Sequence, residues 1–201
     1  MAATTRILVV RHGESEWNAI GRWQGHADPP LSERGEHQAR AAADRLGALG
    51  AVVSSDLQRA SATADLIALA LGVGPVVVDD RLRERDAGEW TGLTRAEIEE
   101  RFPGYLAGGS RPPGFEPAAS LFERVHPCLL DLARDHAGES VLAVTHAGVI
   151  LALESALGLR REALPNLSGR WFDAGNGALR AGERVLLVDP HEVPITTPRS
   201  E

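Results

Sequence analysis

The chain has 201 residues, 43% hydrophobic and 24% charged, with a formal net charge of −7. That length suits one compact domain, residues 1–201, with a sizeable core, and it is short for two domains. The acidic balance argues against general nucleic-acid binding, which needs a basic face, but a few convergent arginines can still make a positive pocket for a small phosphate.

Residues 6–10 read as a first strand. Their apolar side chains are consecutive rather than alternating, which suits a central parallel strand buried on both faces. A helix follows over 31–48, with Ser32 as N-cap and Gly50 near its stop. Residues 51–54 form a second strand, 56–71 a helix closed by Gly72, and 75–78 a third strand. A short helix over 94–101 precedes Pro103, and the Gly- and Pro-rich stretch 104–117 reads as an exposed loop. A long helix over 118–136, a strand over 141–145, a helix over 148–157 and a late strand over 184–188 complete the series. The tail after Asp189, with three prolines, is expected to lie irregularly on the surface. Alternating strands and helices predict a three-layer α/β/α sandwich around a mostly parallel central sheet.

Cys128 is the only cysteine, so neither an intrachain disulfide nor a Cys-based zinc site is expected. No apolar run is long enough to span a bilayer, and MAATTR at the N-terminus has no signal-peptide pattern, so the expected location is cytoplasmic, with no membrane partner.

In parallel α/β sheets, ligands sit beyond the carboxyl ends of the strands. Two predicted strands end in reactive residues there: Arg11-His12 after the first, Thr145-His146 after the later one. Arg11 offers a planar fork of donors suited to phosphate or carboxylate. Gly13 is expected to let a ligand approach the backbone. An imidazole beside a bound phosphate can act as nucleophile when one nitrogen is unprotonated and the other is held by an acceptor. Arg59 falls in the first turn of its helix, where free N–H groups already favour an anion, while Ser61 and Thr63 read as structural. His146 alone could be a satisfied core group; as a second imidazole on the same sheet edge, it could be protonated and help hold phosphate charge. One carboxylate of LRERDAGEW, among Glu84, Asp86 and Glu89, could protonate a leaving oxygen. No metal is expected, because HExxH and His-x-His are both absent and the two arginines would repel a divalent cation.

Together the motifs resemble the histidine phosphatase superfamily, phosphoglycerate-mutase-like branch. The resemblance runs through Arg11-His12-Gly13-Glu14, Gly21 to Gly25, Leu31 to Gly35, Ser54 to Ala60, Leu82-Arg83-Glu84 and Thr145-His146-Ala147-Gly148, in order. It implies that His12 forms a phosphohistidine, that Arg11, Arg59 and His146 line the phosphate pocket, and that Glu84 is the proton donor. It also implies substrate contacts from Asn18, Gln24 and Gly25, and no cofactor. The chain departs from the pattern at Phe115-Glu116-Pro117, where members often carry Gly-Glu-Ser, and this leaves the role of Glu116 open.

The expected activity is hydrolysis of a small phosphorylated metabolite. Cofactor-dependent mutases of this kind are typically longer after the third motif, and Gln24-Gly25 resembles the phosphatase members. A cofactor-dependent phosphoglycerate mutase is the alternative, and a non-catalytic phospholigand or partner binder the second. Trp17, Trp23, Glu89-Trp90 and the stretch from Tyr105 to Phe115 are expected at the pocket mouth. A homodimer through a sheet edge is possible on this reading.

Overall fold

The computed structural model describes residues 4–188, so the predicted course of the tail lies outside the described residues. The strands are β1 (Thr5–Arg11), β2 (Ala51–Ser54), β3 (Val77–Val78), β4 (Ser140–Thr145), β5 (Ser168–Gly175) and β6 (Ala178–Leu186). The helices are α1 (Glu16–Ala19), α2 (Glu33–Ala43), α3 (Gln58–Leu71), α4 (Arg95–Arg101), α5 (Tyr105–Gly108), α6 (Ala118–Asp135) and α7 (Ala147–Ala156), with single 3₁₀ turns at Asp80–Leu82 and Gly88–Trp90.

The strands form one six-stranded sheet in the order β3-β2-β4-β1-β5-β6. β3, β2, β4 and β1 run parallel, and the β5–β6 hairpin joins antiparallel to β1. This is the predicted three-layer α/β/α sandwich. β1 shows why its apolar run is unbroken. Ile7 and Val9 point into one core with α6 and α7, and Leu8 and Val10 into the other with α2 and α3. A third, smaller cluster of Ala87, Trp90, Leu93 and Ile98 lies outside the sheet.

Several boundaries differ from the sequence reading. α2 ends at Ala43 rather than near residue 48, β3 shrinks to Val77–Val78, and α5 interrupts the predicted loop 104–117. The late strand runs over Ala178–Leu186, not 184–188, and its partner β5 had no counterpart in the sequence reading. Gly169, Gly175, Asp173 and Asn176 make that stretch look like turn material. Asn176 and Gly177, at φ of 51° and 74°, instead form the tight connection of a hairpin. The hairpin is fastened to α7 by Glu154, a buried carboxylate that accepts from Arg170 Nε at 2.6 Å and Arg184 Nε at 2.8 Å.

Gly13 is required by packing. A Cβ there would lie 2.6 Å from the Gly35 carbonyl oxygen, so its missing side chain admits the first turn of α2. Gly35 in turn lies against the Glu14 backbone. Ser32 caps α2, and its Oγ also donates to Glu14 Oε1 at 2.8 Å, which binds the helix start to the end of β1. Gly35→Ala should therefore cost about 1–3 kcal/mol through overpacking. The expected result is a lower urea midpoint at unchanged m-value.

Candidate active site

β1 and β4 are hydrogen-bonded neighbours, with Arg11 opposite Thr145. The next residue on each is a histidine, so the pairing alone sets the two imidazoles side by side, ring centroids 5.1 Å apart. The ladder continues one step further, with His12 N donating to Thr145 O at 2.9 Å. β2, on the other side of β4, ends at Ser54, and the Oγ of the next residue, Ser55, lies 3.0 Å from His146 Nε2. Three adjacent strand ends thus build the floor, and α3 and α7 begin directly above it.

His12 is buried, and its Nδ1 is 2.6 Å from the Gly13 carbonyl oxygen. A carbonyl only accepts, so Nδ1 carries the proton and Nε2 keeps its lone pair. Burial, then Arg59 and Arg11, push the His12 pKa well below the ordinary imidazole value. Asn166 Nδ2 donates to His12 O at 2.9 Å and reaches Asn18 Oδ1 at 3.4 Å, fixing the chain behind the ring.

Both arginines reach this floor and are buried. Arg11 Nη1 donates to Leu164 O at 2.8 Å. Arg59 donates to Ala27 O at 2.8 Å and Gly25 O at 2.9 Å, and its Nε has no partner. Burial lowers the Arg59 pKa to about 10, with Glu84 and Asp28 opposing that shift through their charge. Backbone carbonyl oxygens thus help to hold both guanidinium groups at this floor, and two cations there suit an anion.

His146 is wholly buried and its Nδ1 has no partner. Burial, then Arg59, His12 and Arg11, hold its pKa well below the ordinary value. Of the two readings of His146, this environment disfavours the protonated ring. Burial and the neighbouring cations both favour the neutral ring, because a proton there would sit in a buried site beside Arg59 and Arg11.

The Glu84 carboxylate rests on the first turn of α7, accepting from Arg85 N at 2.7 Å and Gly148 N at 3.2 Å. A Cβ on Gly148 would collide with that carboxylate, so the glycine makes its seat. Gly25 has φ +51° and lies against Ala87, and its carbonyl serves Arg59. Gln24 Oε1 accepts from Ser15 Oγ at 2.9 Å, and Asn18 completes a capping box with Ser15. The structure therefore gathers His12, His146, Arg11, Arg59 and Glu84 directly. Asn18 joins them through Asn166, Gly25 through Arg59, and Gln24 only through Ser15 in the first motif. Trp90, expected at the mouth, is fully buried and stacks edge-on against Trp23 at 5.0 Å. His26 reaches Glu84 O at 2.8 Å.

Some contributors were not singled out from the sequence. Thr63 Oγ1 accepts from Gly13 N at 3.1 Å and donates to Arg59 O at 2.7 Å, so a residue read as structural ties the His12 loop to α3. Asn166 and Ser55 also escaped notice.

The sequence profile described as the histidine phosphatase superfamily (branch 1) matches residues 7–176. The chain belongs to this superfamily. It is 37% identical to phosphoserine phosphatase 1 of Hydrogenobacter thermophilus, over 76% of this chain and 75% of that protein. It is 38% identical to a probable phosphoglycerate mutase, GpmB, of Salmonella paratyphi C, over 92% and 96% respectively. A solved mycobacterial glucosyl-3-phosphoglycerate phosphatase superposes with a TM-score of 0.80 at 32% identity, covering 90% of this chain and 98% of that one.

The two depressed imidazoles carry a stability consequence. An unfolded histidine binds a proton below about pH 6.5, whereas His12 and His146 in the fold do not until the pH is much lower. Below about pH 6.5 unfolding therefore takes up protons, and stability falls as the pH drops, by about 1.4 kcal/mol per pH unit for each histidine once that difference is complete. Thermal melts from pH 7.5 to 5 should show the decline, and His146→Gln should flatten it.

Proposed function

We propose that this chain is a phosphomonoester hydrolase that acts through a phosphohistidine on a small phosphorylated metabolite. The observation that carries the reading is His12, whose Nδ1–H is committed to Gly13 O, leaving Nε2 as a nucleophile inside a pocket lined by Arg11 and Arg59. His12 Nε2 attacks phosphorus and the bond to the ester oxygen breaks. Glu84, as the acid, gives that oxygen its proton. The buried guanidinium groups and the His146 N–H stabilise the charge on the transferring phosphoryl oxygens. Glu84, now a carboxylate, takes a proton from water, whose oxygen attacks phosphorus and breaks the N–P bond. Inorganic phosphate leaves and the imidazole is restored. Asn18, Gln24 and Gly25 are proposed substrate contacts on the rim.

The resemblance to GpmB favours a second reading, in which the phosphohistidine passes its group to a retained phosphoglycerate instead of water. The proposed setting is the cytoplasm, where a lone thiol such as Cys128 stays reduced. A homodimer through a sheet edge would use β3, whose Val77 and Val78 side chains are exposed.

Phosphorus NMR separates the readings. Incubation with a panel of phosphate esters, including 3-phosphoglycerate with a bisphosphoglycerate primer, should produce a growing inorganic phosphate signal. Conversion of 3- to 2-phosphoglycerate with little free phosphate would make the chain a mutase, and binding without turnover a phospholigand binder. His12→Ala should remain folded and lose about 10³-fold or more of the activity.

A further inference from the structure

The segment that carries Glu84 belongs to no strand. After the 3₁₀ turn at Asp80–Leu82 it crosses the pocket edge with its carbonyl groups turned away from any ladder. Such a segment needs side-chain partners to hold one position. One residue supplies most of them. Arg124 Nη1 donates to Arg81 O at 2.7 Å and Arg83 O at 2.8 Å, and Nη2 donates to Glu84 O at 2.9 Å. Its remaining donors go to Glu116. Nε meets Oε1 at 2.9 Å and Nη2 meets Oε2 at 2.9 Å, a bidentate pair. All five guanidinium donors are thus used, three on the Glu84 segment and two on the carboxylate that orients the fork.

Both partners are themselves fixed. Arg124 stands on α6, flanked in sequence by Leu121, Val125 and Cys128, which are all fully buried in the core beneath. Glu116 immediately precedes Pro117, the N-cap of that helix, and its backbone pairs with Asp86, its N donating to Asp86 O at 2.9 Å. Its Oε2 also accepts from Asp86 N at 3.2 Å, on the far side of Glu84. The Glu84 segment is therefore gripped on both sides of the carboxylate by one Glu–Arg unit rooted in α6.

We propose that Glu116 and Arg124 are positioning residues for Glu84: they set where its carboxyl group delivers and removes the proton. The proposal rests on Glu84 being the acid–base group, as above. It predicts a defect that depends on the leaving group. An alkoxide needs a proton to depart, whereas p-nitrophenolate leaves readily without one. The ratio kcat/KM reports the steps up to departure of the leaving group, so it isolates the acid's contribution.

The test compares kcat/KM for β-glycerol phosphate and p-nitrophenyl phosphate in the parent protein, Glu84→Gln, Glu116→Gln and Arg124→Lys. Melting temperature establishes the fold of each, and Arg124→Lys keeps the charge should Glu116→Gln fold poorly. Glu116→Gln and Arg124→Lys should each lose about tenfold or more on the alkyl ester, and at least about fivefold less on the aryl ester. Glu84→Gln should show the same selectivity more strongly. Equal losses on both esters in the clamp variants, or no loss, while Glu84→Gln discriminates, would overturn the positioning role. No selectivity in Glu84→Gln itself would overturn the acid assignment, and this proposal with it.

Discussion

The site depends on the parallel pairing of β1 with β4. The register that sets Arg11 against Thr145 sets His12 beside His146, because each histidine is the next residue along its own strand. Shifting the pairing by one residue would send one of the two rings to the opposite face of the sheet. That register is secured by four consecutive apolar residues on β1, Ile7 to Val10, which alternate between two separate cores. The hydrophobic effect, acting on both faces of one strand, thus fixes the geometry of two polar side chains at its end.

The consequence of that burial is electrostatic. Two guanidinium groups and two imidazoles share a buried site, which pushes both imidazole pKa values well below the ordinary value. The arginines hold their charge with carbonyl oxygens as direct partners, Gly25 and Ala27 for Arg59 and Leu164 for Arg11. A buried cationic pocket with an unprotonated nitrogen in it suits phosphoryl transfer to histidine. The same low dielectric that makes the site costly to the fold strengthens its hold on a phosphate.

Much of the site was legible in the sequence because its residues stand where apolar strands stop. Arg11, His12, Thr145 and His146 each stand where an otherwise apolar run stops, and Arg59 lies in the first turn of a helix. What was hidden comes from packing. The neutrality of His146 follows from its depth and its cationic neighbours, which the string of letters does not contain. The job of Gly13 became visible only with Gly35 against it. Arg124 looks like an ordinary charged residue on a helix face, and its attachment to three carbonyl groups is a tertiary fact. The β5–β6 hairpin was missed for a local reason. Asn176-Gly177 was a readable hairpin signal, obscured by the small and polar residues of the strand before it.

The central claim is that the fold commits one nitrogen of His12 and frees the other. Its most direct test is the position of the phosphoryl group on the ring. The Glu84→Gln protein, lacking the base for the second step, should accumulate phosphoenzyme when mixed with p-nitrophenyl phosphate. In protein labelled with nitrogen-15, the coupling between phosphorus and ring nitrogen identifies the bonded atom. The account predicts Nε2 of His12, because Nδ1 donates to the Gly13 carbonyl. Phosphorylation at Nδ1, or on another residue, would contradict it.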